Sequence, residues 1–166
     1  MNFMRKQRHF VTRSLLTVVV GWLLLAPPIW AESTIPLASD LNALQQEMQR
    51  QGLPLLLAFR ADYCGFCRKL ETEHLEPMVR SGQYDTRILI RRFDIDSDQT
   101  VIDFNGNRIS AEAFAERYQA SLTPTLLFLD AEGKEVAERL LGYNSPDFYG
   151  AYLEQAISTA QHAVKK

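Results

Sequence analysis

The chain has 166 residues, 46% of them hydrophobic, with 18 bases against 20 acids and a formal net charge of -2. That supports one well-buried core and is short for two full domains. No basic run exceeds a pair such as Arg91-Arg92, which excludes nucleic acid as a partner, because phosphate binding needs clustered Lys and Arg.

Arg5, Lys6, Arg8 and Arg13 precede an apolar run from Leu15 to Ala26, and no acid appears before Glu32. Pro27 and Pro28 break the run, and Ile29-Trp30-Ala31 ends it on a small residue. This is the layout of a secretory signal peptide, residues 1–31, cleaved after Ala31 to leave one domain over residues 32–166. An uncleaved anchor is the alternative, since with Pro27 to Trp30 the stretch approaches the roughly 20 apolar residues that span a bilayer. Either reading expects a periplasmic or otherwise exported protein. Removing four bases leaves 14 against 20 acids, so the remaining domain carries -6.

After an irregular lead, Asp40 is placed to cap a helix with Leu41, Leu44 and Met48 on one face, stopped by Gly52. Pro54 opens Leu55 to Phe59, a continuous apolar run of the kind that a strand covered on both faces requires. Arg68 to His74 offers a helix in which Pro77 predicts a kink or restart. Ile88-Leu89-Ile90 with Phe93 and Ile95 predicts a second strand, parallel to the first because a helix separates them. Val101 to Ile109 around Asn105-Gly106 reads as a small hairpin insertion. Ser110 caps a helix carrying Phe114, Ala115 and Tyr118, and Leu126 to Leu129 is a further buried strand. Asp130 to Lys134 has turn chemistry, so Glu135 to Leu141 should return antiparallel. Ser145 and Pro146 open a terminal helix with Phe148, Tyr152, Ala156 and Ile157 on its buried side, and Lys165 and Lys166 at its end. The fold class is therefore α/β, a mixed central sheet flanked by helices with a small β-hairpin insertion.

The two cysteines are three apart, in Cys64-Gly65-Phe66-Cys67. A disulfide closing so small a loop removes little entropy from the unfolded chain, so reversible chemistry explains the pair better than stapling does. Where a strand ends and a helix begins, the Cys64 sulfur meets the positive end of the helix dipole, which favours thiolate and makes Cys64 the nucleophile. Arg68 and Lys69 add to that potential and Asp62 and Glu71 oppose it. Cys67, one turn on, is the resolving thiol. A zinc site would need about four ligands and no second cysteine pair exists. His74 and His162 read as solvated helix residues, so no metal is expected.

Ala61-Asp62-Tyr63-Cys64-Gly65-Phe66-Cys67 after an apolar strand, followed by Ala115 to Tyr118 and then Thr123-Pro124-Thr125 before another strand, resembles the thioredoxin superfamily over about residues 40 to 163. The export signal, the hairpin insert and the Thr before the proline resemble its periplasmic SoxW-type members. The resemblance implies a thioredoxin fold, thiol–disulfide exchange with protein thiols and disulfides, and a cis Pro124 facing the cysteines with the Thr123 backbone offered to an extended polypeptide. Residues alone leave open a trans proline at a strand start. No cofactor is implied beyond the Cys64–Cys67 disulfide.

Ala58 stands where thioredoxin carries a buried acid, and Arg60 and Tyr63 where it carries tryptophans. The usual proton acceptor for Cys67 is thus absent. Glu71 could replace it only by pointing inward, and an exposed helix acid is the expectation. Tyr63 and Phe66 form either an apolar rim for a partner or packing that shields the disulfide. The favoured activity is reduction of protein disulfides by a monomer recharged from a membrane electron donor. An oxidase or isomerase, and a non-catalytic module binding a metal or partner, are the alternatives.

Overall fold

The computed structural model describes residues 34–144 and 146–165. The leader, Ser145 and Lys166 lie outside them. Helix α1 (Leu41–Gln51) starts where Asp40 accepts the Ala43 amide at 2.8 Å and stops at Gly52 in the left-handed conformation, burying Leu41, Leu44 and Met48. Strand β1 (Leu55–Arg60) is buried at every position. A helical rod follows: α2 (Gly65–Leu70), a π segment (Glu71–Leu75) and α3 (Glu76–Ser81). Pro77 sits in the first turn of α3, so the α-helix restarts there as expected, after the π segment and without a break in the rod. Proline has no amide to donate, and the wider π turn absorbs the mismatch, with the Glu76 amide reaching back to the Glu71 carbonyl.

Strand β2 (Leu89–Asp94) lies parallel to β1, pairing Leu55 with Leu89 and Arg60 with Asp94. The lead closes β2's outer edge: the Ala38 amide donates to the Arg92 carbonyl at 2.8 Å and the Arg92 amide to the Pro36 carbonyl at 3.0 Å. Strands β3 (Thr100–Ile102) and β4 (Arg108–Ser110) form the separate hairpin. Ser110 then caps α4 (Ala111–Arg117) by accepting the Ala113 amide. Strand β5 (Thr125–Leu129) runs antiparallel to β1 and pairs with β6 (Leu140–Leu141), giving the sheet order β2-β1-β5-β6.

The return strand is much shorter than the expected Glu135 to Leu141. Glu135 bridges Leu129 and Leu140 pairs with Leu126, so three steps along β5 face five on the return path and two residues are looped out. Arg139 accounts for the coil, turning back to pair with Glu135 and donating to the Tyr118 carbonyl at 3.0 Å.

The terminal helix α5 (Pro146–Val164) also differs from expectation. Its buried residues are Tyr149, Leu153, Ala156, Ile157 and Ala160, whereas Phe148 and Tyr152 are exposed. The series starting at 148 and at 149 both satisfy helical spacing, and packing selects the second.

Two apolar layers sandwich the sheet. On one face Leu55, Leu57 and Phe59 meet α1 and α4, with Phe59 5.1 Å from Phe93 and 6.2 Å from Phe114 between ring centres. On the other, Leu56 and Ala58 meet the rod and α5. Beside the first layer Asp103 is fully buried and holds the hairpin turn, accepting from the amides of Asn105 and Asn107 and pairing with Arg117 at 2.8 Å. The Arg117 hydrogen bond and these amides, opposed by desolvation, pull its pKa down to about 2. A carboxyl lowered in the fold stabilises it above the unfolded value of about 3.9 and stops doing so as pH falls towards 2. Tm measured against pH should accordingly drop between about pH 4 and 2 in the wild type, and the drop should shrink in Asp103→Asn.

Candidate active site

The register Phe59 to Thr125 places the end of β1 and the start of β5 at one end of the sheet. The loop entering Cys64 and the loop through Thr123-Pro124 therefore leave the sheet side by side. Cys64 is the N-cap of α2: its backbone is extended and its sulfur accepts the Cys67 amide at 3.1 Å. That amide is one of the free donors at a helix start, so the cap supplies a positive field to whatever charge the sulfur carries. Cys64 and Cys67 are joined as a disulfide, with Cα atoms 5.3 Å apart. Cys64 is 8% exposed and Cys67 only 1%, so an incoming group meets Cys64 first. Both pack with Ala61 and Ile95.

The Thr123-Pro124 peptide is cis. Pro124 is buried while its carbonyl accepts the Gly142 amide at 2.8 Å, and Thr125 Oγ1 donates to the Leu122 carbonyl, which holds the loop from both ends. Neither backbone group of Thr123 makes a hydrogen bond among the described residues. Tyr63, Phe66 and Leu122 stand around the site at 79%, 64% and 56% exposure. Packing of Tyr63 and Phe66 over the disulfide is therefore not what the structure shows. Beside Tyr63 a groove of about 440 Å³ carries the carboxylates of Asp96, Asp98, Glu112 and Glu116.

Beneath the motif the structure corrects one expectation outright. Glu71 is buried, not exposed, and its Oε1 lies 2.9 Å from Arg60 Nε. Arg60 is itself buried and also reaches Asp62 at 2.9 Å and Asp94 at 3.1 Å. Burial pushes the Glu71 carboxyl above the usual range, and the Arg60 charge offsets part of that rise. Arg60 was legible only as a departure from a tryptophan. The signal that could have found its role is strand parity, because residues 56, 58 and 60 share the face against which the rod packs.

His74 likewise is not a solvated helix residue. It is half-buried, 3.0 Å from the Tyr143 hydroxyl, which in turn donates to Glu73. Burial holds the His74 pKa below its ordinary value. Among the described residues no group of three His, Cys, Asp or Glu side chains is placed to hold a metal, and no helix is long and apolar enough to cross a membrane.

Comparison with known proteins agrees with this geometry. The chain is 26% identical over 124 residues to the thiol:disulfide interchange protein DsbD of Ralstonia nicotianae, which covers 74% of this chain and 19% of that protein. It is 29% identical over 118 residues to the protein of the same name from Salmonella paratyphi A, covering 69% and 19%. The chain thus spans about a fifth of the length of the curated relatives it matches. Among solved structures, a mutant poplar thioredoxin h superposes with a TM-score of 0.54 at 22% identity, covering 79% of this chain and 90% of that one. The oxidoreductase DsbH superposes with a TM-score of 0.54 at 14% identity, covering 83% and 98%. The description "Thioredoxin-like domain" fits residues 41–157, and with the cysteine pair capping α2 and the four-stranded mixed sheet behind it, the chain belongs to that family.

Proposed function

We propose that the protein is a thiol–disulfide oxidoreductase of the cell envelope that reduces protein disulfides. The observation that carries this is the asymmetric pair: Cys64 at the helix N-cap and the surface, Cys67 behind it and buried. In the reduced protein the Cys64 thiolate attacks one sulfur of a partner's disulfide and expels the other as thiolate, leaving a mixed disulfide. Cys67 loses its proton and displaces Cys64 from the partner, so the Cys64–Cys67 bond forms and the partner leaves with two electrons and, after protonation, two thiols.

Thr123 and the exposed rings of Tyr63 and Phe66 make the docking surface in this reading, Thr123 through backbone groups left unpaired and the rings through apolar contact. Pro124 orients that loop. Support for exchange comes from the interchange proteins to which the chain is similar, support for the reductive direction from the resemblance of its motifs to SoxW-type proteins, and support for export from the basic-then-apolar leader. A membrane electron donor would restore the dithiol. The SoxW-type resemblance fits the same reading.

The test is trapping. Cys67→Ser, reduced and mixed with a disulfide-bonded protein such as insulin, should accumulate adducts that dithiothreitol releases, whereas Cys64→Ser should form none. Equal adduct formation by both variants, or by neither, would overturn the assignment.

A further inference from the structure

The sheet face behind Cys67 holds Ala58 where a carboxylate would be expected, yet a buried carboxylate is present nearby. Glu71 follows Cys67 by one helical turn, its amide donating to the carbonyls of Cys67 and Arg68. At that spacing the two side chains leave the same face of the rod, with Cβ atoms roughly 5–6 Å apart. The Glu71 side chain is 9% exposed and meets the Arg60 side chain, also 9% exposed. Their contact is an ion pair in which neither Arg60 Nε nor Glu71 Oε1 has an aligned hydrogen-bond partner among the described residues. Oε1 thus keeps acceptor capacity while the charge on the carboxylate is balanced.

Arg60 comes from a different part of the chain. It ends β1 on the same face as Leu56 and Ala58, and its other contacts, Asp62 before the motif and Asp94 at the end of β2, fix the guanidinium beneath the cysteine loop. The charged groups facing Glu71 are Arg60 on β1, Arg92 and Asp94 on β2, and Glu76 at the start of α3. Arg92 is drawn towards Asp94 at 3.7 Å, which leaves Arg60 as the cation in contact.

We propose that Arg60 is a positioning residue for thiol–disulfide exchange: it holds Glu71 as a carboxylate one turn behind Cys67, where Glu71 takes the proton that Cys67 must lose. The inference rests on the exchange reading above. In the step, the Cys67 S–H proton passes to Glu71, the Cys67 thiolate forms a bond to Cys64 Sγ, and the bond from Cys64 to the partner sulfur breaks. The partner thiolate takes a proton from solvent, Glu71 later returns its proton there, and the two cysteines are oxidised as the partner is reduced. Without Arg60 the buried carboxyl holds its proton more strongly, because less of the desolvation is offset.

The reduced protein reacted with 5,5′-dithiobis(2-nitrobenzoate) separates the two steps. One thionitrobenzoate is released when Cys64 attacks and a second when Cys67 resolves, both followed by stopped-flow absorbance across pH 5 to 9. Glu71→Gln should slow the second release about 100-fold near pH 7, the scale of a general base. Arg60→Met should slow it roughly tenfold, its pH profile moving about one unit alkaline, while Arg60→Lys stays near wild type. Arg60→Met should add nothing in a Glu71→Gln background. A second phase with unchanged rate and profile in Arg60→Met and Glu71→Gln, with a normal first phase, overturns the proposal and leaves exchange standing. Additive losses in the double variant overturn it too. Absence of a first release from the wild type would instead overturn the exchange reading. If Arg60→Met does not fold, the Glu71→Gln and Arg60→Lys profiles decide the matter in the same way.

Discussion

Phe59→Ala is expected to lower unfolding free energy by about 3–5 kcal/mol, the range for a large aromatic removed from a core that cannot collapse around the space. Phe59 has no exposed surface and sits on the central strand, with Phe93, Phe114 and Tyr118 all within 6.2 Å between ring centres. Those partners come from β2 and α4 and from the turn after it, so relaxation would need three segments to move together, each held by the sheet or by a cap. Urea unfolding followed by far-UV circular dichroism reads the loss as a fall in midpoint with unchanged slope. A loss below about 1 kcal/mol would mean that the aromatic layer is not the centre of the core.

The second large effect falls on recognition. Tyr63 and Phe66 expose most of their rings beside a disulfide that is itself nearly covered. Covering such a ring on a partner stabilises the complex by about 1–1.5 kcal/mol each, part of what full burial yields, so removing both should weaken docking about thirty-fold or more. The double substitution Tyr63→Ser, Phe66→Ser is therefore expected to raise KM for a protein disulfide by that factor while kcat is kept. Cleavage of a small aliphatic disulfide, which does not reach the rim, should be unaffected. Equal losses on both substrates would assign the rings to the chemistry or the fold instead of to docking.

Much of the architecture is legible in the residues because single strong signals carry it. The apolar runs at 55–59 and 126–129 are long enough for strands and too short for helices, and both prove buried throughout. Asp40, Gly52 and Ser110 punctuate helices by local chemistry that needs no tertiary context. The cysteine pair is placed by its neighbours, an apolar strand run before it and helix formers after it, which put Cys64 at a strand-to-helix junction.

What was not legible depends on contacts distant in sequence or on a choice between equal local patterns. Glu71 looks like any helix acid until Arg60, eleven positions earlier and on a strand, supplies the charge that makes its burial tolerable. The terminal helix offers two interleaved apolar series, and only packing against the sheet decides between 148 and 149 as its start. The missing length of β6 follows from Arg139 finding Glu135 and the Tyr118 carbonyl, neither of which a strand pattern announces. His74 is drawn in by Tyr143, almost seventy residues away.

The abbreviated β6 has a consequence for how the molecule behaves among its own copies. An outer strand with a long row of free amides and carbonyls is a template on which another chain can add itself, the first step of edge-to-edge aggregation. Here that margin is two residues long, kinked by the looped-out pair on one side and turned away at Gly142 with φ of 70° on the other. The opposite margin is already occupied by the chain's own lead at Leu37. In the exchange reading proposed above, protein clients dock at the cysteine end, and a short, kinked flank on one side with the lead bridged to the other leaves them little sheet edge on which to add.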